Sequence, residues 1–235
     1  MVMKIMHVHA KSNTDVTIPE DKLKQLPKLN WGIVTTIQHE HKIQTIIDQL
    51  KTAKLAGQVL GCNASEAEKI NDKIDAWLFV GSGIFHPIQV ALKTGKDVWL
   101  WNPDGNEISK LDSSIAEQFR KRKQGELNKF LHAKIIGVIV STKIGQKNLM
   151  RALDFKSQTD KECYVFACDE LNMQQFENFN FIDFWVNTAC PRIADEKSQM
   201  VNIDDLIEAG LLKLKKEPMA YEVPIWKSKM GLKKE

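Results

Sequence analysis

The 235-residue chain reads as an α/β protein made of two copies of one small parallel-sheet unit. Three observations predict this. Short apolar runs alternate with polar, helix-length stretches, the signature of strand–helix–strand crossovers in a parallel sheet. The runs recur in pairs of like form: GIVTTIQH with GVIVSTKIGQ, GQVLGCN with YVFACDE, and LFVGSGIFHP with DFWVNTACPR. The pairs sit at nearly constant offset: 105 from Gly32 to Gly137, 106 from Cys62 to Cys168, 104 from Pro87 to Pro191. The expected division is a lead segment 1–30, a first α/β unit 31–134 and a second 135–235.

The elements follow in order. Lys4 to Ala10 is strand-like, and Ile18–Leu29 suits a short helix broken at Pro27. His7 and His9 share a face of that strand, as a metal-binding pair or, more simply, a solvated one. GIVTTIQH from Gly32 is an apolar strand, and a helix is expected from His41 to Ala56. GQVLGCN is a strand ending at Cys62. Ser65 and Glu68 have capping-box spacing, so a helix opens there. AWLFVGSGIFHP is a strand running into Gly81-Ser82-Gly83, with a helix from Pro87 to Thr94, and DVWLWNP is a fourth strand. Residues 106–134 read as a polar, largely helical connector. Its basic run, Arg120-Lys121-Arg122-Lys123, is either a contact for RNA or an acidic partner or, more simply, a solvated helix face. The second unit repeats the pattern and ends in a Lys-rich tail.

Composition bounds the function. A hydrophobic content of 43% with 27% charged residues is ordinary for a soluble globular protein. A net charge of +3 is too small to argue for nucleic acid. No apolar run approaches a membrane span. Four dispersed cysteines, Cys62, Cys163, Cys168 and Cys190, with no signal peptide, predict a reducing, cytoplasmic setting where they are thiols or ligands. A generic dinucleotide-binding reading lacks a GxGxxG fingerprint.

FIDFWVNTACPRIAD, residues 181–195, carries the chemistry. A strand, Phe181 to Val186, enters a polar turn holding Cys190, and Pro191 suits the first position of a helix. A thiol beside a helix N-terminus is favoured as thiolate. The alternative is a buried cysteine in a strand–helix turn. The C-terminal edge of such a sheet is where ligands bind. Two thiolates are too few for a cubane iron–sulfur cluster, and no tight CxxC run is present.

GIVTTIQH, GQVLGCN, LFVGSGIFHP, GVIVSTKIGQ and WVNTACPRIADE, in that order over roughly residues 30–205, together resemble the diphthamide synthesis family, the 2-(3-amino-3-carboxypropyl)histidine synthase subunits of archaea and eukaryotes. The resemblance implies three related α/β domains around a [4Fe–4S] cluster, each giving one cysteine. It implies S-adenosylmethionine as co-substrate and transfer of its aminocarboxypropyl group, as a radical, to a histidine of translation elongation factor 2. By motif, Cys62 and Cys190 are the second and third cluster ligands, and Cys163 and Cys168 are structural. Gly81, Ser82, Gly83 and His86, with Gln38, Thr142, Lys143, Gln146 and Arg192, become candidates for contact with S-adenosylmethionine. The N–H groups of Gly81–Gly83 and the Lys143 ammonium suit its carboxylate; backbone geometry alone equally explains the glycines.

By the resemblance the sequence begins where the family's first domain would be ending: KIMHVHAKSN is similar to that domain's last strand, so the first cysteine ligand and its motif are expected to come from elsewhere. Two functions of different class follow. One is an enzyme subunit that needs a separate chain for the first domain and third cysteine, and an electron donor. The other is a non-catalytic subunit or fragment that binds elongation factor 2 or supports a catalytic partner. Neither implies a membrane or direct nucleic-acid contact.

Overall fold

Gly32 and Gly137, 105 residues apart, occupy the same place in two sheets of like topology. The computed structural model describes residues 8–60, 63–143, 145–196 and 199–213. The chain divides into two units, Met1–Lys121 and Arg122–Glu235.

In the first unit a four-residue helix α1 (Glu20–Leu23) precedes β1 (Trp31–Thr35), α2 (Ile43–Leu50), β2 (Lys54–Gln58), α3 (Ser65–Ile70), β3 (Ala76–Val80), α4 (Phe85–Thr94), β4 (Val98–Asn102) and β5 (Glu107–Lys110). The sheet order is β2-β1-β3-β4-β5. The first four strands are parallel and β5 is antiparallel. β1 and β3 are buried at every position, which explains their unbroken apolar sequence. One face packs Val34, Trp77, Phe79 and Leu100 against residues of α3 and α4. The other packs Ile33, Leu78, Val80 and Trp101 against α2 and against Val16 and Ile18. Ser12 N–H donates to Gln38 O at 2.9 Å past the end of β1, and Trp101 Nε1 donates to Val16 O at 2.7 Å, so the segment passes from the C-terminal edge of this sheet at Ser12 onto that face by Val16 and Ile18.

Helix α5 (Ser113–His132) leads into the second unit: β6 (Ile135–Ser141), α6 (Leu149–Gln158), β7 (Glu162–Cys168), β8 (Phe184–Asn187), β9 (Met200–Asn202) and α7 (Ile203–Glu208). The order is β7-β6-β8-β9, all parallel, the same as β2-β1-β3-β4. One face packs Ile136, Val138, Phe184 and Val186 against Phe155 and Leu206. The other carries Ile139, Trp185 and Met200 beneath Phe176, Phe179 and Ala194. Those last residues belong to or flank short 3-10 segments, Met173–Asn178 and Pro191–Glu196, standing where the first unit has α3 and α4.

The repeat is therefore present, but two of its three sequence anchors are displaced. The β1–β2 pairing has a bulge with Ala56 as the extra residue; continued one step past Thr35–Gln58, it makes Val59, and not Cys62, the counterpart of Cys168, which pairs with Ser141. Trp77 and Trp185 face equivalent glycines, and Pro191 follows its tryptophan by six residues where Pro87 follows by ten, so the prolines are not equivalent. Other elements also differ from expectation. α2 stops at Leu50, because Lys51 takes positive φ and the chain turns into β2 three residues earlier than GQVLGCN implied. Ser65 opens α3 without capping it; Asn63 Oδ1 accepts the Ser65 N–H at 2.9 Å instead. α4 begins at Phe85, and β8 begins at Phe184, leaving Phe181 exposed. β5 was hidden by its polar sequence, although Asp104-Gly105 before it is a hairpin signal. The strand expected over Lys4 to Ala10 falls largely outside the described residues, His7 included; Val8 to Ala10 carry no strand. The basic run of α5 meets acids: Arg120 and Lys121 meet Glu117, Arg122 meets Glu126, and Lys123 meets Asp205 at 2.6 Å. It is a helix face with paired charges.

Candidate functional site

The C-terminal edge of the second sheet gathers Thr142, Lys143, Gln146, Cys190 and Arg192. β8 ends at Asn187 because the chain there exchanges ladder bonds for side-chain bonds. Asn187 and Thr188 are each 1% exposed. Asn187 Nδ2 donates to the Cys190 carbonyl and to Asn202 Oδ1, both at 2.8 Å, and its Oδ1 accepts the Ala189 N–H at 2.9 Å. Thr188 Oγ1 donates to Ile139 O at 2.7 Å, and Thr188 O accepts from Asn148 Nδ2 at 2.6 Å. The turn is thereby tied both to β6 and to the start of α6.

Cys190 follows, half-buried, with a free thiol. The expected helix after it is the six-residue 3-10 segment Pro191–Glu196. That is too short for a substantial macrodipole, so the helix-terminus argument for a thiolate loses its force. Arg192, Thr142 and Lys143 are exposed and Gln146 is half-buried. Thr142 Oγ1 donates to Asp169 Oδ1 at 3.2 Å. The Lys143 N–H donates to Ser141 Oγ at 3.1 Å.

The other two described cysteines differ. Cys163 lies in the core at 8% exposure, and burial pushes its thiol up. Cys168 is half-buried, with Sγ 3.8 Å from Val140 O. Burial, and then the neighbouring Asp169 carboxylate, push its thiol up too. Both surroundings favour the neutral thiol over the thiolate a metal needs.

At the C-terminal edge of the first sheet, Gln38, Gly81, Ser82, Gly83 and His86 come together. Gly81 N–H is already engaged with Trp101 O at 2.9 Å. It does not serve a carboxylate. Gly81 has φ +150° and a Cβ there would lie 3.1 Å from Phe79 Cζ, so backbone geometry explains this glycine. Ser82 and Gly83 are exposed. The His86 ring stacks on Phe79, 5.8 Å between centroids. Gln38 is exposed beside His39, which the strand-end reading passed over in its favour. His39 is 2% exposed, and its Nδ1 is buried with no hydrogen-bond partner. Burial holds its imidazole below the usual histidine range, only partly offset by Asp104. Its place at the end of β1, after two threonines, was the available signal.

Cys62 lies outside the described residues. Among the described residues no group of three His, Cys, Asp or Glu side chains could hold a metal ion. Cys190 fits the role of one thiolate ligand by its chemistry: an unbridged thiol, half-exposed, on a turn whose backbone is held on both sides. Among the described residues no helix is long and apolar enough to cross a membrane.

Comparison with known proteins gives the family and the fold. Residues 2–199 match the family model described as "Putative diphthamide synthesis protein". The chain is similar to the 2-(3-amino-3-carboxypropyl)histidine synthase of Pyrococcus horikoshii, 31% identical over 192 residues, covering 74% of this chain and 54% of the relative. It is similar to subunit 1 of that synthase from Encephalitozoon cuniculi, 20% identical over 211 residues, covering 83% of this chain and 59% of the relative. Among solved structures it resembles Dph2 from Pyrococcus horikoshii with a 4Fe-4S cluster: TM-score 0.65, 27% identity, 85% of this chain and 66% of that one. The chain spans about half the length of the first two curated relatives, 54% and 45%. With the motifs in order, the doubled parallel sheet and a family match over residues 2–199, this chain belongs to the diphthamide synthesis protein family.

Proposed function

We propose that this chain is a subunit of a 2-(3-amino-3-carboxypropyl)histidine synthase, acting in the first step of diphthamide formation. The observation that carries the reading is Cys190: a free, half-exposed thiol held at the ligand edge of a parallel sheet, in a chain whose structural neighbour holds a 4Fe-4S cluster. In this reading Cys190 and Cys62 each give one thiolate to the cluster, and a companion chain gives the third. A bound cluster supplies the electron, received from a separate donor, for reductive cleavage of a carbon–sulfur bond of S-adenosylmethionine. The chain's own residues bind and orient. The Lys143 ammonium and the Arg192 guanidinium offer cationic partners to the carboxylate of the aminocarboxypropyl group, with Thr142 and Gln146 as polar neighbours. Gln38, Ser82, Gly83 and His86 offer polar contacts at the other sheet edge. The acceptor is a histidine of translation elongation factor 2, modified in the cytoplasm.

The test is anaerobic reconstitution of the full chain with iron and sulfide, alone and with a candidate companion chain, followed by reduction with S-adenosylmethionine and elongation factor 2. The expected result is stable iron binding only with the companion, with methylthioadenosine and modified factor as products. Equal iron binding and product formation by Cys190→Ala would overturn the catalytic reading and leave a non-catalytic subunit.

A further inference from the structure

The two sheets contain an internal control for the turn that bears Cys190. Gly32 faces Trp77 across β1 and β3 as Gly137 faces Trp185 across β6 and β8. Two residues further along, the first sheet pairs Phe79 with Leu100 and the second pairs Asn187 with Asn202. All four are buried: Phe79 0%, Leu100 8%, Asn187 1% and Asn202 7% exposed. The fold therefore accepts an apolar pair at these positions. Buried amides are costly unless fully hydrogen-bonded. The second sheet carries them only where the cysteine turn follows.

Their bonds all lead to that turn. Asn187 Oδ1 accepts the Ala189 N–H, Asn187 Nδ2 donates to Cys190 O, and Asn202 Nδ2 donates to Pro191 O at 3.3 Å. The two side chains are joined by the bond from Asn187 Nδ2 to Asn202 Oδ1. Both hydrogens of Asn187 Nδ2 are used, and three consecutive residues, 189 to 191, are gripped through their backbone. A buried, satisfied polar network selects one arrangement over its neighbours. The β3–α4 connection of the first sheet carries no such grip from Phe79 and Leu100, and turns on Gly81 and Gly83.

We propose that Asn187 and Asn202 are positioning residues, a bracket that fixes the direction in which Cys190 presents its thiol. This rests on the reading of Cys190 as a cluster ligand, and it gives a role to two residues that the sequence reading left without one. The bracket acts through the backbone and touches neither substrate nor cluster.

The experiment compares the full-length chain with Asn187→Leu/Asn202→Leu, which restores an apolar pair like that of the first sheet, and with the milder Asn202→Ala. Iodoacetamide alkylation of each cysteine is followed by peptide mass spectrometry. Iron retention after anaerobic loading, with the companion chain if one is found, is followed against a chelator. Buried Cys163 reports folding. The expected result is faster alkylation at Cys190, unchanged protection of Cys163, and iron affinity lowered about 10- to 100-fold, as for other residues that orient a ligand. An unchanged Cys190 alkylation rate in folded variants overturns the bracket. Should the double variant expose Cys163, Asn202→Ala decides. Failure of the ligand reading shows separately: Cys190→Ala would then hold iron as well as the unaltered chain, while the alkylation rates still judge the bracket.

Discussion

The indole of Trp185 fills the space that a Cβ on Gly137 would need, and Trp77 does the same over Gly32. A glycine in a strand interior is ordinarily a weakness; here it admits close approach of a large ring from the next strand. Gly137→Ala and Gly32→Ala should each destabilise their unit by about 1–3 kcal/mol through overpacking. At Gly32 the added carbon would sit 2.5 Å from Trp77 Cζ3 and 2.7 Å from Ile74 Cδ1. Urea unfolding of the full chain, followed through tryptophan fluorescence, checks this. Loss below about 0.5 kcal/mol would show that the indoles move aside freely.

The cysteines should separate by function. Cys190→Ala and Cys62→Ala should abolish iron binding in the reconstituted complex, whereas Cys163→Ala and Cys168→Ala should leave iron content nearly unchanged. Cys168 carries the most information, because sequence offset pairs it with Cys62 and strand register pairs it with Val59. Iron quantitation per chain decides between the two alignments.

Stability should fall with acidification through His39. Its folded-state pKa lies below the ordinary value of 6.5, with burial as the main cause. Below that ordinary value the unfolded chain takes up a proton that the folded chain refuses. The stabilisation is thus present above about pH 6.5 and is lost progressively as pH falls from there toward the depressed folded value. The urea midpoint should be lower at about pH 5.5 than at about pH 7.5, and His39→Gln should flatten that difference. An equally steep dependence in His39→Gln would place the titration elsewhere.

Two lysines of the basic run should behave differently. Lys123 meets Asp205 at 2.6 Å with side chains 24% and 10% exposed, whereas Lys121 is 77% exposed and 3.9 Å from Glu117. Lys123→Met leaves a largely buried carboxylate without its cation and should cost about 1–3 kcal/mol, less than a fully buried pair because one partner is partly solvated. Lys121→Met should stay within about 0.5 kcal/mol. Thermal melts of both variants give the comparison.

By itself the sequence determined the α/β class, the strands β1, β3, β4, β6 and β8, and the doubling of the unit. Strands buried on both faces must be apolar along their length, and that signal survives without any knowledge of partners. It also placed Cys190 in a turn just past a strand, since FWVNTACPR joins an apolar run directly to turn residues. Tertiary structure alone decided the register. The pairing of β1 with β2, bulge at Ala56 included, sets Cys168 opposite the place of Val59, three residues from the Cys62 that the sequence offset gives it. It decided that Gly81 N–H is already spent on Trp101, because a donor's availability depends on a strand twenty residues away. It revealed Asn187 and Asn202 as a joined pair: they are fifteen residues apart in the chain and meet only because β8 and β9 lie side by side. Local sequence carries burial pattern and turn chemistry; which buried amide meets which carbonyl is settled by the pairing of strands, and that pairing is a property of the folded sheet.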